Sequence, residues 1–264
     1  MGPFLTSNEL ARVLGVSVAT VRRWADAGLL PAERTAGGHR RFSLELATRL
    51  ARQKGGPDAS LDAWIGLLAG PGTGLDVDAA LLAERSRCGS WLEAARSLGG
   101  VLVELGQRWH AGQLSVIEEH VASARLTRAL ARVADGFPVR SGAPRALLAT
   151  VEEEAHTLGL SLVELLMRER GWQVLWVGRD LSSELLARRI ETGDVDVLAV
   201  SASPVRTPAE LEAAAAVLGR SCAAARTDLV VGGSGPWPEP FPGGRLVRDF
   251  GALQALMVEV DEKR

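Results

Sequence analysis

"RALLATVEEEAHTLGLSLVELLMRERGWQVLWVG", residues 145–178, decides the fold of the C-terminal part of the chain. "RALLAT" is a short apolar run, as in a strand covered on both faces. "LGLSLVELLMRERG" has helical periodicity and a terminal glycine, Gly171, and "WQVLWVG" is again a short apolar run. The alternation continues with a helix in "LSSELLARRIETG", a strand in "VDVLAVSAS" and a helix opened by the capping box Thr207-Pro208-Ala209-Glu210. "DLVVGGSG", "GRLVRD" and the terminal helix "ALQALMVEV" complete about five βα units, which predicts a doubly wound parallel sheet over residues 139–264. Ligands of such sheets sit beyond the carboxyl ends of the strands. Glu154 and His156 follow the first strand, Ser201 and Ser203 the third, and Gly232-Gly233 the fourth. A loop histidine, a capping serine or a turn glycine pair is unremarkable alone; their convergence on neighbouring strand ends is the stronger signal.

Upstream, residues 57–138 carry four helical patterns, at about 60–69, 76–88, 90–109 and 115–135, with short connections that favour an antiparallel bundle. Ser90–Glu93 and Ser115–Glu118 have the form of capping boxes opening the last two. Trp109-His110 then close the third helix and Glu119-His120 lie in the first turns of the fourth. A short loop brings those ends together, so the four side chains can share one patch. Singly, each reads as core or as a solvated helix end.

The 264 residues are 47% apolar and 23% charged, an ordinary globular composition with room for two or three domains. No apolar run approaches the ~20 residues of a membrane span, and no signal peptide is expected, so a cytoplasmic location is expected. Cys88 and Cys222 stand far apart and form no metal or disulfide pattern. Charge is uneven: residues 1–56 hold nine Lys/Arg against four acids, or +5, which leaves −7 for the rest of a chain of net −2. A basic head on an acidic body points to a nucleic-acid-binding module joined to something else.

That head, residues 1–56, reads as a winged helix-turn-helix. Thr6 and Glu9 form a capping box, Gly15 marks the turn, and Ser17 caps "VATVRRWADAG". The second helix is expected to project Thr20, Arg22, Arg23 and Trp24, arginine being able to read guanine edges bidentately. The Gly-Gly of "ERTAGGHRRF" suits a hairpin turn, so that Arg34, His39, Arg40 and Arg41 lie on a basic wing suited to phosphate contact, with a further helix closing the module. "QKGGPDAS" reads as the linker to the bundle.

The order helix, turn, helix, wing over residues 4–53 resembles the DNA-binding domain of MerR-type transcriptional regulators. Glu154-x-His156-x-x-Gly159, then Ser201-x-Ser203, then Gly232-Gly233, resembles the cobalamin-binding Rossmann domain. That resemblance implies His156 as the lower cobalt ligand, Glu154 as the carboxylate orienting its imidazole, and Ser201, Ser203 and the glycines as the seat of the displaced nucleotide tail. Glu154 stands where aspartate is commoner, and Ser203 where threonine or leucine is more usual. Trp109, nine residues, then Glu119-His120 is similar to the W-x9-E-H signature of CarH-type light-responsive, adenosylcobalamin-dependent repressors. The family implies that Trp109, Glu119 and His120 cover the upper face of the cofactor and that His110 ligates cobalt once the adenosyl group is lost. It further implies operator double-stranded DNA as partner, a homotetramer in the dark, smaller units in light, and no enzymatic activity. A corrinoid methyl carrier or mutase subunit shares the bundle and sheet but has no use for a winged helix. A MerR-like regulator that has lost cobalamin keeps the fold but not this set of histidines and carboxylates.

Overall fold

The computed structural model describes residues 4–43, 60–241 and 243–263. The chain forms two compact units, Met1–Pro138 and Val139–Arg264. The first contains β1 (Phe4–Leu5), α1 (Ser7–Leu14), α2 (Val18–Asp26), β2 (Glu33–Arg34) and β3 (Arg40–Ser43). The Thr6 box closes as its residue types require: Glu9 accepts the Thr6 N–H at 2.7 Å, and the Glu9 N–H reaches Thr6 Oγ1 at 3.2 Å. Ser17 caps α2 by accepting the Thr20 N–H at 3.0 Å. The wing is an antiparallel pair, Glu33 opposite Arg41 and Arg34 opposite Arg40, turned between Thr35 and His39. No sequence signal marks β1, a two-residue strand that pairs with the other edge of β3 and gives the order β1-β3-β2. The expected closing helix and the linker "QKGGPDAS" lie outside the described residues, apart from Ser60.

The orientation of α2 corrects one expectation. Arg22 and Arg23 are exposed, but Thr20 and Trp24 point inward, at 2% and 0% exposure. Thr20 sits one turn before Trp24 on the apolar stripe of a short amphipathic helix, and its hydroxyl bonds Ser17. Neither side chain is placed to touch a ligand of the opposite face.

The same unit holds α3 (Leu61–Ala69), α4 (Gly74–Cys88), α5 (Trp91–His110) and α6 (Val116–Asp135). Leu68, Leu81, Leu98, Val101, Leu126 and Leu130 are fully buried between them. Each such side chain contributes ~1.5–3 kcal/mol relative to an exposed one. Buried Asp78 is compensated by a bidentate bond from Arg132, at 2.6 and 2.9 Å. The Ser115 box forms fully, whereas at Ser90 only half does: Ser90 accepts the Glu93 N–H, but the Glu93 carboxylate pairs with Arg96 instead.

The second unit is the expected parallel sheet. It comprises β4 (Arg145–Thr150), α7 (Leu158–Glu169), β5 (Gln173–Gly178), α8 (Ser183–Ile190), β6 (Val197–Ser201), α9 (Pro208–Ala225), β7 (Asp228–Gly232), β8 (Arg245–Val247) and α10 (Phe250–Glu262). The strand order is β5-β4-β6-β7-β8, parallel throughout. The first connection from β4 runs to one side and the next to the other, so the switch point lies between β4 and β6. Thr150, Ser201 and Gly232 are in register there, at the carboxyl ends of three adjacent strands. Among the described residues, no helix is long and apolar enough to cross a membrane.

Candidate functional site

The loop after β4 is built around one carboxylate. Glu154 is 2% exposed, and its carboxylate gathers donors from two segments. Oε1 accepts the His156 N–H at 2.9 Å and lies 2.6 Å from His156 Nδ1, while Oε2 accepts the Ser203 N–H at 2.7 Å. The Thr150 hydroxyl donates to the Glu154 carbonyl at 3.0 Å, and Glu153 adopts φ +58 to let the loop turn. Burial pushes the Glu154 carboxyl toward the neutral form, but hydrogen bonds from Ser203 and His156 outweigh it and hold its pKa below the ordinary value. An ionised carboxylate can only accept, so Nδ1 donates to Glu154 and Nε2 is the ring nitrogen left facing away from it. The imidazole is 65% exposed over a carboxylate that is 1% exposed. This is an oriented, solvent-facing imidazole nitrogen with its ring fixed from behind.

A single imidazole provides one ligand. Among the described residues no three His, Cys, Asp or Glu side chains converge to hold a metal ion. A metal bound at His156 therefore has to arrive with most of its coordination sphere already in place.

Beside this loop lies a cavity of about 170 Å³ lined by Gly159, Val163, Ser201, Gly232 and Gly233, among others. Pockets for drug-sized ligands are roughly 300–1,000 Å³, so this volume suits one part of a large cofactor rather than the whole of it. Its glycines differ in kind. Gly233 has φ +82, and a Cβ there would stand 2.3 Å from the Ala202 carbonyl oxygen, so the fold itself demands glycine. Gly159 would meet no protein atom within 4 Å, so packing does not explain it, and its bare backbone leaves the cavity open to a ligand. The donor set and the glycine-lined cavity fit a metal-bearing cofactor with an aromatic tail.

The expectation for Ser203 changes. Instead of lining the cavity with Ser201, it is buried and gives its N–H to Glu154. Sequence spacing does not show this, because it depends on the approach of the β6 loop to the β4 loop. Arg248 is a further site residue that no sequence signal marks: its guanidinium donates to the carbonyls of Gly233 and Gly235 at 3.0 and 2.9 Å, bracing the glycine turn. Replacing Glu154 with alanine should leave the Ser203 N–H without its acceptor and the imidazole free to rotate. The expected loss is ~1–3 kcal/mol of stability by thermal or denaturant unfolding.

In the first unit, Trp109 and His110 end α5 with ring centroids 4.7 Å apart. Trp109 is 40% exposed, an unusual position for the largest apolar side chain. Glu119, in the first turns of α6, accepts from Ser123 Oγ at 2.6 Å and lies 2.9 Å from Nδ1 of the exposed His120. Val116 and Ile117, at the start of α6, are exposed too. On the wing, Arg34 and His39 are exposed. Arg40 is instead drawn to Asp26 at the end of α2, with Arg34 3.9 Å from the same carboxylate. Its charge braces the wing against α2, leaving Arg22, Arg23, Arg34, His39 and Arg41 as the candidate nucleic-acid surface.

Comparison with known proteins bears on both units. Residues 6–42 match the MerR family regulatory protein profile, and residues 144–241 match the B12 binding domain. The HTH-type transcriptional repressor CarA of Myxococcus xanthus is 33% identical over 135 residues, 51% of this chain and 44% of that protein. The HTH-type transcriptional repressor CarH of the same organism is 29% identical over 118 residues, 44% of this chain and 38% of that protein. The matched stretch thus spans less than half the length of either repressor. In fold, the chain is similar to the monomethylamine corrinoid protein of Methanosarcina barkeri, with a TM-score of 0.53, 14% identity, and coverage of 76% of this chain and 95% of that one.

Proposed function

We propose that this chain, in which a MerR-type regulatory segment is joined to a B12-binding domain, is a CarH-type transcriptional repressor that uses adenosylcobalamin to sense light. The observation that carries the reading is the His156–Glu154–Ser203 arrangement, an exposed imidazole nitrogen fixed by a buried ionised carboxylate at the switch point of the sheet. His156 serves as the lower cobalt ligand. Gly159, Ser201, Gly232 and Gly233 receive the nucleotide tail, with Ser203 and Glu154 holding His156 in place. Trp109, Glu119 and His120 cover the adenosyl group, and His110 is the ligand that takes its place after illumination. Adenosylcobalamin supplies a visible chromophore and a photolabile cobalt–carbon bond, neither of which any side chain provides.

The partner is operator double-stranded DNA, bound by a homotetramer in the dark and released by smaller units in light. The protein acts in the cytoplasm and catalyses no reaction of its own. The basic wing disfavours a corrinoid carrier, which handles no nucleic acid. The test is direct: protein purified with adenosylcobalamin is red, retards operator DNA in the dark, and loses both that binding and its oligomeric size on gel filtration after green light. Colourless protein, or DNA binding indifferent to cofactor and light, removes the reading.

The DNA surface makes a separate prediction. Replacing Arg34 and Arg41 together with alanine should weaken binding to all duplexes and flatten its salt dependence by about one unit of slope per lost phosphate contact. Arg22→Ala or Arg23→Ala should instead change which duplex is preferred, by ~1–3 kcal/mol at one base pair. Fluorescence anisotropy across a salt series separates the two. An unchanged slope in the double variant would show that the wing does not touch the backbone.

A further inference from the structure

The bundle grips the DNA-reading helix at two points. Trp24, on the back of α2, meets Trp91 edge-on at 6.4 Å and Phe137 at 5.8 Å, and its indole N–H donates to the Val133 carbonyl at 3.1 Å. Trp91 and Phe137 are themselves edge-on at 6.4 Å, which closes the aromatic triangle. The second point is the turn before α2, where Arg85 of α4 donates to the Gly15 carbonyl at 3.2 Å. Two separated attachments fix an orientation, which one alone does not.

The two long helices of the clasp are also those that carry the exposed patch. Trp91 begins α5, and Trp109-His110 end it; Glu119-His120 lie near the start of α6, and Val133 lies in its last turn. Each helix has 20 residues, hence a rigid rod of ~30 Å. A displacement at the Trp109 and Glu119 end therefore reaches Trp24 without an intervening loop. Gly136 shows how closely the parts fit: a Cβ there would lie 2.1 Å from Trp24 Nε1.

We propose that α5 and α6 act as levers that set the presentation of α2, so that an event at the Trp109–Glu119 end re-aims Arg22 and Arg23 within one subunit. The proposal rests on the reading of that patch as the cap of the cofactor. It adds a path to DNA distinct from any change in oligomeric state. Gly136→Ala is the decisive variant. Gly136 has φ −70 and ψ −15, which alanine adopts freely, so the new methyl group acts by unseating Trp24 and crowding the Val133 carbonyl to which the indole N–H donates.

The experiment is hydrogen exchange on the full chain, first without cofactor, then with adenosylcobalamin in the dark and after illumination. Without cofactor, Gly136→Ala should speed exchange of amides 19–26 roughly tenfold while amides 120–130 keep their protection. With cofactor, wild-type α2 should change protection together with α6 on illumination, whereas in Gly136→Ala α6 should change and α2 should not follow. Two results overturn the proposal: wild-type α2 unmoved while α6 responds, or α2 of the variant still following. If α6 ignores the cofactor in wild type, the cobalamin reading fails, and the clasp is judged by the cofactor-free comparison, where unchanged α2 amides overturn it. Trp91→Phe, a milder change that shortens the ring facing Trp24, carries the same comparisons if Gly136→Ala does not fold.

Discussion

Replacing His156 with alanine should lower affinity for adenosylcobalamin by at least about tenfold in an absorbance titration in the dark, as expected for loss of the proposed metal ligand. The variant keeps nearly everything else at the site. Glu154 is held by Ser203 and by the backbone N–H of residue 156, so the loop retains its shape. The tail cavity lies among Gly159, Ser201 and Gly232 and does not depend on the imidazole. The Nε2 atom is lost together with the Nδ1 bond to Glu154, whose carboxylate keeps its two backbone donors, and tenfold in affinity corresponds to ~1.4 kcal/mol. His156→Ala should unfold within ~1–2 kcal/mol of wild type, since the side chain is 65% exposed and its main contribution is the Nδ1 bond to Glu154. Unchanged cofactor affinity would remove cobalamin ligation from His156, and cobalamin from the proposed function.

Much of the fold and site is legible in the sequence, and the rest is hidden for physical reasons. The parallel sheet can be read because strands covered on both faces are continuous apolar runs, and glycines and capping boxes punctuate them. The helices of the bundle emerge from the same signals. The Glu154–His156 pair is legible because both residues lie on one short loop, so spacing fixes geometry. Ser203 and Arg248 reach their partners across 49 and 15 residues, and no local pattern encodes such contacts. Thr20 and Trp24 defeat the sequence reading for a related reason. The buried residues Thr20, Val21 and Trp24 share one face of "VATVRRWAD", but a threonine and a tryptophan beside two arginines read equally well as contact residues until their packing partners are known. The aromatic triangle around Trp24 joins residues 24, 91 and 137, a purely tertiary arrangement. Arg40 is a similar case, since a basic wing residue beside Asp26 is neutralised only once the hairpin folds back on α2.

Illumination of the chain loaded with adenosylcobalamin should abolish operator binding, and His110→Ala should alter the final state without preventing loss of the adenosyl group. In the proposed function, Trp109 and Glu119 cover the adenosyl group before illumination. Trp109 is 40% exposed in the first unit, and Glu119 has one oxygen bonded to Ser123 and the other beside His120. Removing that group would leave a void beside the Trp109 ring, costing on the order of 1–5 kcal/mol, while Glu119 keeps Ser123 and His120 as partners. That penalty favours displacement of the ends of α5 and α6. His110 is the last residue of α5, exposed and with its ring tilted against that of Trp109, so a small motion of that end carries it with the tryptophan. An imidazole brought there would be able to ligate the metal of a bound cobalamin, and that bond would hold the displaced arrangement and the cofactor. In His110→Ala the displacement still occurs, but that hold is missing. The variant should lose its dark spectrum at the wild-type rate, reach a different final spectrum, and release the cofactor at least about tenfold faster on gel filtration after light. If its final spectrum and retention match wild type, His110 is not the new ligand, and His120, whose Nδ1 faces Glu119 and leaves Nε2 outward, is the next residue to replace.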